Sequence, residues 1–416
     1  MLKYWLWLTT RQGLGHKGAM AALQHFGTPE QAFFAPDYDG IEGLENPEPL
    51  LDKSLEEPER ILGECYRRNI HILTYQDAAY PERLRNIDDP PLLLYYQGVL
   101  PAVDTEPVIA MVGTRHASVY GLVQAKQLGF QLGRLGAIVV SGGADGIDTL
   151  SLTGALSSGR PVIAVLGGGV DVVYPAKNRS LFEDIRYHGC LLSEYPPGTP
   201  ALGAHFPVRN RIISGLAQGV LVVEAPKKSG ALITASRALE QGRDVFTLPA
   251  NVGTATCEGN LQLLKEGAIL VEEGWDVMKE YVHLYPELVS RQSVPIPMTL
   301  TGAQLDAAAE HGERQGRKKA IPRIAENIVT LEKSDTKDVD KSENRAYIDV
   351  QEILETLSAD EKAIVELLMQ KSRHIDDIID ESQIPAGRVL AAMTMLEIKG
   401  YVKRLPARMY SLAEKK

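Results

Sequence analysis

Seven short runs of β-branched and aliphatic residues dominate the middle of this chain, and none of them alternates with polar residues. They are Val108–Val112, Ala137–Ser141, Pro161–Leu166, Cys190–Ser193, Val220–Glu224, Asp244–Leu248 and Ala268–Val271. A strand with one wet face alternates, whereas a run that is apolar throughout must be covered on both faces. Helical stretches separate the runs, so successive strands are joined by right-handed crossovers. The pattern predicts an α/β fold, a doubly wound and mostly parallel sheet, over residues 106–286.

The flanks read differently. Residues 1–60 are helical, with Leu6, Leu8, Leu14, Met20, Leu23 and Phe26 at near-helical spacing and Gly13, Gly15 and Gly27 as punctuation. Residues 61–105 form a mixed connector, with a turn at Asp88-Asp89-Pro90-Pro91 ahead of Leu92–Tyr96. Residues 287–345 lose periodicity and carry polar, charged runs at 312–319 and 333–337, the texture of a flexible linker. Residues 346–416 regain order. Helices at Asp360–Met369, Ile375–Glu381 and Pro385–Lys399 precede two short strands, Tyr401–Leu405 and Arg408–Leu412, the pattern of a winged helix. The third helix carries Arg388 and Lys399 but is otherwise Ala, Met and Leu, poor in the side chains that read bases. The strands hold Lys403, Arg404 and Arg408, which suit phosphate contact, so an auxiliary or protein-contact role is expected for this domain.

Charge and cysteine usage exclude several classes. The net charge is −10, and residues 106–280 hold 15 Lys/Arg against 16 Asp/Glu. A polybasic, chromatin-coating role is therefore excluded, and any affinity for a polyanion must come from basic groups gathered on one face. Cys65, Cys190 and Cys257 are far apart and form no C-x-x-C pair, which argues against a disulfide framework or a zinc ribbon. The apolar start, Met1–Leu8, is too short for a secretory signal, and no run of about 18 apolar residues occurs. A soluble cytoplasmic protein with no membrane contact is expected. No Walker loop, H-E-x-x-H or H-x-E with a later C-x-x-C is present, and neither a metal nor a cofactor is expected. Gly13-Leu14-Gly15-His16-Lys17-Gly18 does match G-x-G-x-x-G, but a helical Trp/Leu pattern precedes it rather than a strand. A hairpin between two helices accounts for it better.

The polar residues of the central segment cluster where the strands end, which is where open parallel sheets bind ligands. Gly113-Thr114-Arg115 and Ser118 follow the first run, Ser141-Gly142-Gly143-Ala144-Asp145 the second, and Gly167-Gly168-Gly169 the third. Lys227-Lys228-Ser229-Gly230 follows the fifth, just ahead of a helix starting near Thr234. Glycine admits a phosphate close to the backbone, Ser and Thr supply short donors, Arg115 a planar fork and Lys177 a point charge. Four such loops on one edge predict an anion site. Arg209-Asn210-Arg211, between the fourth and fifth runs, suits a chain of phosphates better than a single metabolite.

Six ordered blocks between Val112 and Ala235 resemble the DNA-processing protein A (DprA/Smf) family. They are Val112–Arg115 with Ser118–Gly121, Ser141–Gly143 with Gly146–Asp148, Ala164–Gly167 through Tyr174-Pro175 and Asn178, Ser193–Gly198, Phe206–Leu216, and Val223–Ala225 with Ser229–Ala235. The flanking helical segment, similar to helix-hairpin-helix or SAM modules, and the winged helix match the family's usual extensions. The resemblance implies a Rossmann-like domain that binds single-stranded DNA without catalysis, dimerises and helps load RecA during natural transformation. It implies DNA contacts at Gly113, Arg115, Ser118, Ser141, Gly142, Gly143, Lys177, Asn178, Arg209, Asn210, Arg211, Ser229, Gly230 and Thr234. It also implies a dimer through the late part of the domain, among Leu239, Val245, Leu261, Leu263, Leu264 and Ile269. Asp145 stands where the family's second loop carries a basic residue, and the helix after it lacks the family's His. An acid there weakens phosphate binding. The competing reading is an enzyme acting on a nucleotide, with Glu224 as its carboxylate and Asp148 or Asp171 as partner; against it, Glu224 can simply hold Arg209 or a loop amide.

Overall fold

The computed structural model describes residues 1–292 without a break and, beyond them, 359–370, 373–382, 401–404 and 409–412 with a few isolated positions between. The chain divides into two compact units between residues 322 and 323.

The first unit is built on a nine-stranded sheet. Its strands are β1 (His71–Thr74), β2 (Leu93–Gly98), β3 (Val108–Val112), β4 (Ile138–Ser141), β5 (Val162–Val165), β6 (Cys190–Ser193), β7 (Gly219–Val222), β8 (Asp244–Thr247) and β9 (Ile269–Leu270). Their spatial order is β1-β2-β6-β5-β4-β3-β7-β8-β9. All seven expected strands are present, and β3 to β9 run parallel. The connector supplies β1 and β2, which pair antiparallel and extend the sheet beyond β6. With no crossover helix between parallel strands to mark them, they left no βαβ pattern in the sequence.

Side chains of each central strand alternate between two cores although all are apolar. Ile109 and Met111 of β3 join one hydrophobic cluster, and Val108, Ala110 and Val112 the other. On the first face lie α7 (Val119–Arg134), α8 (Ile147–Ser157) and α9 (Arg179–His188); on the second lie α10 (His205–Leu216) and α11 (Gly230–Glu240). This two-sided cover is why the runs carry no polar alternation. The first face also receives the N-terminal helices α1 (Leu2–Thr10), α2 (Gly15–Phe26), α3 (Pro29–Phe34), α4 (Glu48–Leu51) and α5 (Glu56–Arg67). Trp5, Leu6, Trp7 and Leu8 of α1 share a single cluster with Leu93 and Tyr95 of β2. The G-x-G-x-x-G stretch is the turn from α1 into α2, as a helical hairpin requires.

Residues 288–292, placed in the linker by their sequence, form a short helix whose Leu288 is fully buried and whose Arg291 donates to the Leu135 carbonyl. Such a helix is too brief to show a period. The remaining linker, 293–345, lies outside the described residues. In the second unit, helices Ala359–Gln370 and Ile375–Ser382 accompany a three-stranded antiparallel sheet of Arg373–His374, Met409–Leu412 and Val402–Arg404. The expected hairpin is there, and Arg373–His374 adds a strand that two residues could not announce. Most of the expected third helix, Pro385–Lys399, lies outside the described residues, although Val389, Met393 and Leu396 belong to that unit's core.

Candidate nucleic-acid interface

Beside β3 the chain order of the sheet reverses, with β4 on one side and β7 on the other. Loops leaving β3 and β7 part toward opposite faces, and such a switch point opens a crevice. Here it is a cavity of about 320 Å³. Gly113, Thr114, Arg115 and His116 of the β3 loop form one wall, and Lys228, Ser229 and Gly230 of the β7 loop the other. Asp148, Phe206, Arg209, Asn210 and Thr234 from α8, α10 and α11 close the floor.

Local sequence explains these walls. Ser118 and Ser229 have extended backbones and cap α7 and α11, accepting from the Gly121 and Ala231 amides. Serine competes for exactly these orphan donors better than an apolar residue does. The α11 N-terminus therefore opens toward the cavity with its partial positive charge. At the mouth, the exposed Arg115 guanidinium lies 4.7 Å from the Phe206 ring centroid, within cation–π range. Tyr174, half exposed, adds a second ring 5.8 Å from Phe206. A flat cation over an aromatic ring, with a second ring beside it, offers both a phosphate partner and a stacking surface for a base.

Arg209 does something else. Its side chain is buried, and Nη1 donates to the Gly142 carbonyl at 2.8 Å and to the Val165 carbonyl, tying the ends of β4 and β5 together. Gly142 leaves no room for a side chain, since a Cβ would lie 2.6 Å from the Arg209 guanidinium. Burial pushes the Asp148 carboxyl up to about 6, against the pull of Arg209, and burial lowers Arg209 to about 10 despite Asp148. The cavity floor thus holds a carboxyl and a guanidinium that share one poorly hydrated space.

Several expected contact residues shape the site from beneath. Ser141 donates to the Met111 carbonyl at 2.6 Å, and Asn178 to the Gly143 carbonyl and the Thr149 hydroxyl. Both are buried, as are Gly142 and Gly143. Arg211 is turned away altogether. It pairs with Asp89 at 3.0 Å and Glu194 at 2.7 Å, with its side chain 5% exposed, and takes no part in the cavity. One residue separates Arg209 from Arg211, and two residues span about 200° of a helix, so the pair could not share a face. Lys177 lies at the same edge, paired with Asp145 at 3.0 Å with both side chains partly exposed. The acid that departs from the family's pattern is thereby neutralised by the cation next to it. An ion pair this accessible is worth about 1 kcal/mol at most, so a phosphate can exchange with Asp145.

Of the three carboxylates of the enzymatic reading, Asp148 lines the cavity, and the other two are occupied or distant. Glu224 accepts from the Ser118 amide at 3.0 Å and the Ser118 hydroxyl at 2.7 Å, so it holds a loop amide rather than Arg209. Asp171 pairs with Arg68 and accepts from the Gly198 amide, outside the cavity. Among the described residues no group of three His, Cys, Asp or Glu could hold a metal ion, and no helix is long and apolar enough to cross a membrane. Sequence reasoning missed Phe206 and His116 as lining residues and had Lys228 only as part of its loop. An aromatic residue just ahead of a proline in the first turn of a helix, where burial is unneeded, was the available signal for Phe206.

Comparison with known proteins decides the family. The model described as DNA recombination-mediator protein A matches residues 71–282, and that of the DprA winged helix domain matches residues 351–408. Protein Smf of Synechocystis is 33% identical over 418 residues, covering 98% of both chains. The chain belongs to the DNA-processing protein A family. DNA processing protein DprA of Streptococcus pneumoniae is 36% identical over 67% of this chain and 98% of its own. The X-ray structure of that protein superposes with a TM-score of 0.61 over the same shares. The doubly wound sheet and the winged helix are accordingly family features, and four of the six blocks supply residues that line the cavity.

Proposed function

We propose that this member of the family binds single-stranded DNA along the carboxyl edge of its sheet, without chemical turnover, and delivers the strand to a RecA-type recombinase. The observation that carries the reading is the Arg115–Phe206 pair at the mouth of the switch-point cavity. It joins a phosphate-binding fork to a ring on which any base can stack, so recognition depends on an unpaired strand and hardly on its sequence. Lys177 and Lys228 add charge at the same edge, while Arg209 and Asn178 hold the loops that carry it. Two copies would set two such clefts on one strand and raise the affinity of a near-neutral domain. Leu239 and Leu270, both largely exposed on α11 and the edge strand β9, fit a self-association surface there, whereas Val245 and Leu263 are buried within the protomer. Competition binding with labelled single-stranded and duplex oligonucleotides tests the reading. Preference for the single strand, declining with salt, supports it; equal affinity for duplex removes it.

One feature favours a second reading. Asp148 is a buried carboxyl in a cavity with its pKa pushed up to about 6, a signature that recurs at catalytic sites. Incubation with nucleoside monophosphates, followed by assay for free base, separates the two. Turnover abolished in Asp148→Asn would establish an enzyme.

A further inference from the structure

The α1–α2 hairpin has no part in the site described above, yet it walls a second cavity, of about 420 Å³, at the same edge of the sheet. Thr9, Arg11 and His16 form its helical side, Leu93 and Tyr95 of β2 its floor, and Glu194 and Tyr195 of the loop after β6 its near wall. Its charges are already matched. Arg11 pairs with Asp52 at 2.5 Å, and Glu194 with Arg211 at 2.7 Å. His16 is pinned by a 2.6 Å hydrogen bond to the Pro90 carbonyl. A polar, internally neutralised, aromatic-edged space of this size suits a flat heterocycle better than a phosphate.

Consecutive residues at the start of α10 link the two cavities. Phe206 lies in the first, beside Tyr174. His205 stacks on Tyr195 with centroids 4.1 Å apart and planes 16° from parallel, and Tyr195 lines the second cavity. The first cavity sits at the β7/β3 gap and the second at the β6/β2 gap, four strand spacings away along the sheet. At about 4.8 Å per strand that is roughly 19 Å, a gap that takes several nucleotides to bridge.

Building on the preceding reading, we propose that the bound strand continues from the switch-point cavity across Phe206, His205 and Tyr195 and lodges a base between the α1–α2 hairpin and β2. The hairpin is then a nucleobase subsite that lengthens the footprint. The test measures fluorescence anisotropy of labelled oligothymidylates of about three and about fifteen nucleotides, lengths that fall short of and exceed the span between the cavities. Wild-type protein binds the longer strand more tightly. Tyr195→Ala weakens the longer strand about tenfold, the loss of one stacked base, and leaves the shorter within about twofold. Tyr195→Phe retains both affinities. Thr9→Glu, at an exposed position on the far wall, reproduces the selective loss without touching α10. Equal losses on both lengths in Tyr195→Ala, or no loss on the longer strand in Thr9→Glu, overturn the subsite while leaving the first cavity intact. Failure of wild-type protein to bind either length overturns both readings.

Discussion

Replacement of Arg209 by methionine separates a structural role from DNA contact at the residue that sequence alone marks most strongly. Methionine keeps much of the side chain's length and removes its donors. The Gly142 and Val165 carbonyls then lose their guanidinium partner in a buried setting, at about 1–3 kcal/mol each. Asp148 loses the positive charge that offsets its burial. Breaking one side of a buried charged pair costs about 3–5 kcal/mol in total, a large share of the 5–15 kcal/mol typical of a folded domain. The pH dependence fixes the cause. Asp148 binds its proton more tightly in the folded chain, with a pKa raised from 3.8 to about 6. That contribution favours the fold fully below about pH 4 and is lost as pH rises through 6, amounting to about 3 kcal/mol. Without Arg209 the carboxyl shifts higher still, so the variant's deficit is largest at pH 7 and above and shrinks as pH falls toward 5. Adding Asp148→Asn recovers about 1–3 kcal/mol at pH 7, a non-additivity that neighbours alone show. Urea denaturation of the wild type, both single variants and the double variant across that pH range is the assay. Native stability in Arg209→Met together with lost single-strand affinity would refute the structural role and return the guanidinium to the DNA.

Arg115→Ala is expected to leave the urea midpoint unchanged and to weaken binding to all single strands, flattening the log-affinity against log-salt slope by about 0.7, the value for one phosphate. An effect confined to one base composition would mean that Arg115 reads bases. Glu224→Gln loses the charge that orders Ser118 and lowers stability by about 1–2 kcal/mol in thermal or urea melts. Removal of residues 346–416 leaves most single-strand affinity in anisotropy titrations, because the two units are separately compact. A fall to background would place the binding site in the second unit.

The sheet was legible because burial on both faces writes itself into composition, run by run, and seven strands could be placed within a residue or two of their observed ends. β1 and β2 were not, since an antiparallel extension needs no crossover and β2's Leu93–Tyr95 abuts a helical domain that the sequence shows only as another apolar pattern. The site divided along the same line. Loop glycines could be read because backbone demands restrict residue type strongly, whereas Ser118 and Ser229, expected as donors to a strand, cap α7 and α11. The direction of a long basic side chain has no such signature. Arg115, Arg209 and Arg211 all belong to family blocks, yet one lies exposed over Phe206, one ties two strand ends, and one neutralises Asp89 and Glu194.

That division has a physical logic for a domain with nearly equal numbers of acids and bases. Buried guanidiniums cannot serve as counterions for a polyanion, because their charge is committed to carbonyls and carboxylates that cannot leave. On the proposed reading a strand meets Arg115, Lys228, the α11 N-terminus and Lys177 along this edge. The proposal therefore carries a shallow salt dependence, with stacking, which salt does not screen, supplying the rest of the affinity. The half-exposed rings Tyr174, Phe206, His205 and Tyr195 are spread along that same edge, where the proposed strand would stack.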